Sequence, residues 1–226
     1  IARLISTLKR FYGWASAAEF THHDPTLRLK APTLAETIPE VLTEQQVEQL
    51  LAAPDVSSAL GKRDRAILEL MYASGLRVSE VVQLPLEQVN LSVGMVQVMG
   101  KGAKERIVPL GEAAIEALQI YLAEARPHLV GQRRVPTLFV SRIGRTMTRQ
   151  TLWHRVKKLA QQAKIAGNLS PHGLRHAFAT HLLNHGADLR SVQLRFGHSA
   201  LSTTQIYTHV AKARLQKIHQ QHHPRG

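Results

Sequence analysis

The chain contains no cysteine, which excludes disulfide cross-links and thiolate chemistry and fits a reducing compartment. No apolar run approaches the ~18–20 residues needed to cross a bilayer. The opening IARLISTLKR has neither a long apolar stretch nor a small-residue cleavage site, so no secretory signal is read there and a cytoplasmic location is expected. Acidic residues become scarce in the second half: after Glu124 the only acid is Asp188. That scarcity removes the carboxylate clusters on which two-metal nucleases depend. There is no G-x-S-x-G elbow for acyl transfer, and His172 and His176 lack the Glu of a zinc-binding H-E-x-x-H helix.

What is present is positive charge, and it is concentrated. Lys and Arg total 29 against 16 acids in 226 residues, a formal net charge of +13. Residues 1–139 hold 15 basic and 15 acidic side chains, whereas residues 140–226 hold 14 basic side chains and one acid. A one-sided field of this kind is the footprint of a phosphate-backbone partner. A basic surface kept for solubility is the plainer reading. An anionic membrane is disfavoured, because neither a lipidation motif nor a strongly amphipathic aromatic helix accompanies the charge.

Periodicity predicts a mostly α protein with one small antiparallel β-sheet. Leu4, Ile5, Leu8, Phe11, Tyr12 and Ala15 recur at helical spacing within residues 1–20. Residues 21–40 carry three prolines without periodicity and read as a linker. Thr43 and Gln46 form a capping box that opens a helix through Val47, Leu50 and Leu51. A helix through Ala66, Ile67, Leu70 and Met71 is expected to end at Gly75. A short helix over Leu76 to Leu84 should then stop at Pro85. MVQVM and RIVPL flank GKGAKE and predict a hairpin. A regular amphipathic helix is expected over Glu112 to Arg126, and a short third strand over Leu138 to Val140. Thr148 should cap a helix, Ser170-Pro171 should open another that Gly186 ends, and Asp188 should start a third. A turn holding Thr203 to Tyr207 and a helix from Ala211 to His219 complete the reading.

The candidate functional residues are individually weak. His172 and Arg175 stand three apart at a helix start, so both can reach one anion near free backbone N–H groups. A partly buried histidine beside a surface arginine is the bland alternative. Arg77 follows the helix-ending Gly75 and begins the next short helix, where Glu80, three residues on, shares its face and could orient it; an ordinary surface ion pair would look the same. Lys101 sits at the hairpin tip, where most lysines are merely solvated. His198 follows Gly197 at a break between helices, and Tyr207 reads equally well as a core tyrosine with a satisfied hydroxyl.

Order and context carry more than any single residue. Arg77 in SGLRVSE, Lys101 in GKGAKERIVPLG, His172 and Arg175 in SPHGLRHAFATHLL, His198 in GHSALSTTQIYTHV, and Tyr207 nine residues later resemble the tyrosine recombinase (phage integrase) family. The resemblance runs from about Leu42 to the C-terminus. Within the family the sequence is similar to the Xer recombinases, and its ending THVAKARLQKIHQQHHPRG is more like the XerD branch than the XerC branch. One departure stands out: Arg195-Phe196 precedes Gly197-His198, where the family usually has two small aliphatic residues.

The resemblance implies the tyrosine recombinase catalytic-domain fold over 41–226, with a C-terminal interaction helix over 211–219. It implies that 1–20 is the last helix of an N-terminal core-binding domain and 21–40 a linker, so a chain opening on Ile1 is expected to be part of a longer protein. It implies cutting and rejoining of DNA through a 3′-phosphotyrosyl intermediate at Tyr207 without metal, ATP or other cofactor. Arg77, His172, Arg175 and His198 would hold the phosphate, and Lys101 would protonate the leaving oxygen. The implied partners are a double-stranded DNA recombination site, a second, XerC-like recombinase in a heterotetramer, and the septal DNA translocase FtsK; the implied task is resolving chromosome dimers. A type IB topoisomerase shares this chemistry, and a non-catalytic helical DNA-binding regulator would share the charge.

Overall fold

A computed structural model of the chain describes residues 2–30, 41–99, 105–165, 169, 171–185, 221, 223 and 224. The chain divides into two compact units, residues 1–39 and 40–226. The first holds α1 (Ala2–Ala17), whose end turns through Phe20 N–H to the Ala15 carbonyl at 2.9 Å.

The second unit is built around one helix. It opens with α2 (Glu44–Ala52), started by the expected capping box: the Thr43 hydroxyl accepts from Gln46 N–H at 3.1 Å, and the Gln46 side chain accepts from Thr43 N–H at 2.9 Å. Then comes α3 (Ala59–Ser74), N-capped by Ser58 and ended by Gly75 in the left-handed region (φ 61°, ψ 26°). A helix apolar on one face only would show a buried stripe, but Ala66, Ile67, Leu68, Leu70, Met71, Tyr72 and Ala73 are all buried. Accordingly α2, α5 (Glu112–Ile120), α6 (Arg126–Val130) and α8 (Pro171–Asn184) pack round α3, and α7 (Arg149–Gln162) packs on α4 (Val78–Gln83) and α8.

Burial on all sides forces the polar groups of α3 to find partners. Asp64 accepts from Arg63 at 2.7 Å and from Arg155 Nε of α7 at 2.9 Å, and Arg63 also donates to the Val140 carbonyl at 3.0 Å. Glu69 takes Arg65 at 2.7 Å. The Tyr72 hydroxyl lies 3.0 Å from His181 Nδ1, and His181 Nε2 lies 2.8 Å from the Leu42 carbonyl. A carbonyl only accepts, so Nε2 carries the proton, and Nδ1 accepts from the tyrosine. Burial lowers the His181 pKa, which favours this neutral form. Near the C-terminal end, buried His223 returns onto the same helix, with Nε2 3.2 Å from the Tyr72 carbonyl.

The sheet has three antiparallel strands in the order β1 (Val89–Asn90), β2 (Met95–Met99), β3 (Glu105–Pro109). The hairpin expected from MVQVM and RIVPL is therefore present, but the third strand is β1 and not Leu138 to Val140. Around the latter, Leu138 N–H reaches the Leu84 carbonyl and Leu86 N–H reaches the Pro136 carbonyl, both at 2.8 Å. Only a single bridge, Pro85 to Thr137, forms between them. Two prolines without N–H groups stop the ladder from extending. The helix expected to run regularly from Glu112 to Arg126 also departs from expectation: Tyr121–Ala125 is a π turn, in which Arg126 N–H bonds the Tyr121 carbonyl five residues back. Pro127 follows, and its ring and missing N–H disfavour regular α bonding of the preceding turn. The expected helix start at Asp188 and the helix over 211–219 lie outside the described residues, as does Gly186.

Replacing Tyr72 by Phe removes the donor to His181 Nδ1 inside the core. We expect the folded state to lose about 1–2 kcal/mol, measured by urea unfolding at pH 7.

Candidate active site

The turn between α3 and α4 builds the described part of the site. Gly75 leaves α3 with positive φ, Leu76 drops into the core, and Arg77 becomes the N-cap of α4. Glu80, one turn into α4, accepts from Arg77 N–H at 2.7 Å and from the Arg77 guanidinium at 3.1 Å. Arg175, on the second turn of α8, donates to the carbonyl of Gly75. One turn thus presents Arg77 and receives Arg175, a residue 98 positions further along the chain.

The two arginines differ in setting. The Arg175 side chain is buried, whereas that of Arg77 is 39% exposed. Burial first, then the neighbouring charge of Arg77, pushes the Arg175 pKa down to about 10, which leaves it protonated at neutral pH. Arg175 is bonded to the Gly75 carbonyl and Arg77 stands two residues further along the same turn, so two like charges share one neighbourhood. Glu80 offsets their repulsion in part. Burial alone would raise the Glu80 pKa, but hydrogen bonds from Arg106 and Arg77 and the charges of both hold it below the ordinary carboxylate value.

Arg106 is the residue that sequence reasoning missed. It lies on β3, is buried, and binds Glu80 through both terminal nitrogens, at 2.9 and 2.8 Å. Its signal was available in the strand alternation. Arg106 and Val108 share the inward face of β3 and pair with Val98 and Val96 of β2, so a charged residue occupies a core-facing position. Glu80, for which an orienting role towards Arg77 and an ordinary surface ion pair were both open, has a side chain only 7% exposed, which disfavours the surface pair.

The remaining candidates stand as follows. His172 is placed by its backbone in the first turn of α8, one turn before Arg175. Lys101 lies in the segment 100–104 that joins the ends of β2 and β3, and Lys101, His198 and Tyr207 lie outside the described residues, together with Arg195-Phe196. An open depression of about 600 Å³ borders Arg77 and Glu80 and is floored by Gln83, Pro85, Val98 and Met99. Among the described basic residues after Val140, Arg142, Arg145, Arg149, Lys158 and Lys164 are exposed on and around α7. Among the described residues no group of His, Asp or Glu could hold a metal ion, and no helix is long and apolar enough to cross a membrane.

A clamp of two arginines braced by a buried carboxylate suits a phosphate, since guanidinium forks bind phosphate oxygens in pairs and keep their protons. Residues 40–214 match the Phage integrase family. The chain belongs to this family of site-specific tyrosine recombinases, enzymes of DNA recombination. It is 59% identical over 225 residues to the tyrosine recombinase XerD of Pseudomonas aeruginosa, covering 100% of this chain and 76% of that protein. Its structure is similar to that of the XerA recombinase, with TM-score 0.65 and 32% identity over 89% of this chain and 72% of that one. It is also similar to XerH bound to difH substrate in a pre-cleavage complex, with TM-score 0.66 and 28% identity over 92% of this chain and 61% of that one.

Substituting Glu80 by Gln leaves buried Arg106 without its counter-charge and should cost about 3 kcal/mol at pH 7. The native Glu80 pKa is lowered, so its contribution is full above the unfolded value near 4.5 and is lost as pH falls below it. Denaturant titrations at pH 7 and at acidic pH should therefore show the gap between wild type and Glu80→Gln narrowing in acid.

Proposed function

We propose that this recombinase cuts one DNA strand by attack of the Tyr207 oxygen on phosphorus, giving a 3′-phosphotyrosyl enzyme. The P–O5′ bond breaks and the departing 5′ oxygen takes a proton from Lys101. Rejoining reverses the step: a 5′ hydroxyl attacks the phosphotyrosine and releases Tyr207. The ester energy is kept in the protein–DNA bond, so the exchange consumes no nucleotide. Arg77 and Arg175 neutralise the charge that builds on the non-bridging oxygens, with His172 and His198 donating further hydrogen bonds and His172 helping to take the tyrosine proton.

The observation that carries this reading is the Gly75 turn, which brings Arg77 and Arg175 to one place from distant parts of the chain. Two arginines on one phosphate supply the fixed positive donors that stabilise charge building on its non-bridging oxygens. The likeness to XerD and to XerH bound to difH substrate supports a double-stranded recombination site as substrate. The partner in this reading is a second, XerC-like recombinase in a heterotetramer. In this reading residues 1–20 end a core-binding domain, 21–40 link it to a catalytic domain over 41–226, and 211–219 dock on a neighbouring protomer. The biological task is the resolution of chromosome dimers in the cytoplasm, with FtsK as the activating translocase.

The test is covalent capture on a nicked duplex carrying the site selected by this protein from a random-sequence library. Tyr207→Phe should abolish the adduct and leave DNA binding intact; an adduct that persists would falsify the nucleophile assignment. Lys101→Ala should cleave slowly on ordinary DNA and recover on a 5′-bridging phosphorothiolate, whose sulfur leaves without a proton. If it does not recover, Lys101 is not the acid.

A further inference from the structure

We propose that Arg106 is a positioning residue for Arg77, acting through Glu80; this rests on the reading of Arg77 as part of the phosphate clamp. Glu80 is a single carboxylate with two claimants. One oxygen accepts from the guanidiniums of both Arg77 and Arg106, at 3.1 and 2.9 Å, and the other from Arg77 N–H and Arg106 at 2.7 and 2.8 Å. Arg106 takes both oxygens end-on through its two terminal nitrogens, a paired geometry that binds a carboxylate firmly. Arg77 is left with one guanidinium contact to the carboxylate, through a single terminal nitrogen.

That division of the carboxylate has a consequence for chemistry. A buried carboxylate released from Arg106 would draw the nearest remaining cation into the vacated bidentate position. The nearest is Arg77, whose backbone N–H already anchors it beside Glu80. Its fork would then face the carboxylate, its charge would be neutralised, and the phosphate would lose a donor. Arg106 thus keeps the Glu80 carboxylate occupied, so that Glu80 orients Arg77 without capturing it. Arg106 is buried and touches no reacting atom in this scheme, which makes it a positioning residue and not a catalytic one. Its place on β3, paired with Val98 at the wall of the depression beside Arg77, fixes it independently of that arginine.

The experiment compares adduct formation on two nicked duplexes of the selected site, one with an ordinary scissile phosphodiester and one with a methylphosphonate. The methyl group replaces a charged non-bridging oxygen, so the neutral substrate depends less on the arginine clamp. Arg77→Ala serves as the reference and should slow the phosphodiester far more than the methylphosphonate. Arg106→Gln should follow it, slowing phosphodiester cleavage by about 10- to 100-fold and shifting the ratio of the two rates in the same direction. Arg106→Lys keeps a cation beside Glu80 but not the paired geometry; it should give a smaller shift of the same sign, and it carries the test if Arg106→Gln does not fold. If Arg77→Ala shifts the ratio while both Arg106 variants slow the two substrates equally or not at all, Arg106 is only structural and the proposal is overturned. If Arg77→Ala itself leaves the ratio unchanged, the phosphate-clamp reading fails, and the proposal with it.

Discussion

A carboxylate removed from water and shared between two guanidinium groups is costly to assemble, because each ion gives up its hydration before the attraction between them is gained. Glu80 is in that position, with Arg106 on one side and Arg77 on the other. Such a centre tolerates little displacement of its buried pair, since parting Glu80 from Arg106 separates two charges that have both left water. The short helix α4, the hairpin strand β3 and the turn after α3 are therefore fixed relative to one another by charge as well as by apolar packing. Arg175 is fastened to the same turn through the Gly75 carbonyl. Parts of the sequence separated by tens of residues thus meet at one electrostatic junction.

The supporting helix repeats the strategy. An ordinary surface helix needs no polar partners on its inner face, but α3 is enclosed and carries Arg63, Asp64, Glu69 and Tyr72 into the interior. Each meets a partner from another part of the chain or from its own helix: Arg155 on α7, the Val140 carbonyl, Arg65, and His181 on α8. Apolar packing admits many nearly equal arrangements, whereas directional bonds admit few. The position of α8, and with it Arg175 and the backbone of His172, is set by the Tyr72–His181–Leu42 chain as much as by the leucines around it.

Features written in local chemistry were legible in the sequence. The Thr43–Gln46 capping box, the Thr148 cap and the left-handed Gly75 depend on residues within a few positions, so pattern alone reveals them. The hairpin strands were legible for the same reason, whereas β1 is only two residues long and offers too little alternation to detect. The π turn escaped because its cause, Pro127, lies just beyond the residues whose periodicity was followed. Arg77 and Arg175, which the structure fastens to one turn, were candidates through motif context. Arg106 was passed over because Glu80, its partner 26 residues away, had already been assigned to Arg77. A contact of that separation is invisible to spacing rules, and only the inward phase of Arg106 on its strand pointed to it.

The pairing of Val98 with Arg106 has a further effect on how the hairpin can vary. Sliding β3 by one residue against its neighbours would bring either Ile107 or Glu105 opposite Glu80. The first would leave a carboxylate in an apolar wall, and the second would press two carboxylates together. Both are far more costly than the native match, so charge acts as a pawl that lets the strand engage at one tooth only. The connecting segment 100–104 is then released from any duty of setting alignment.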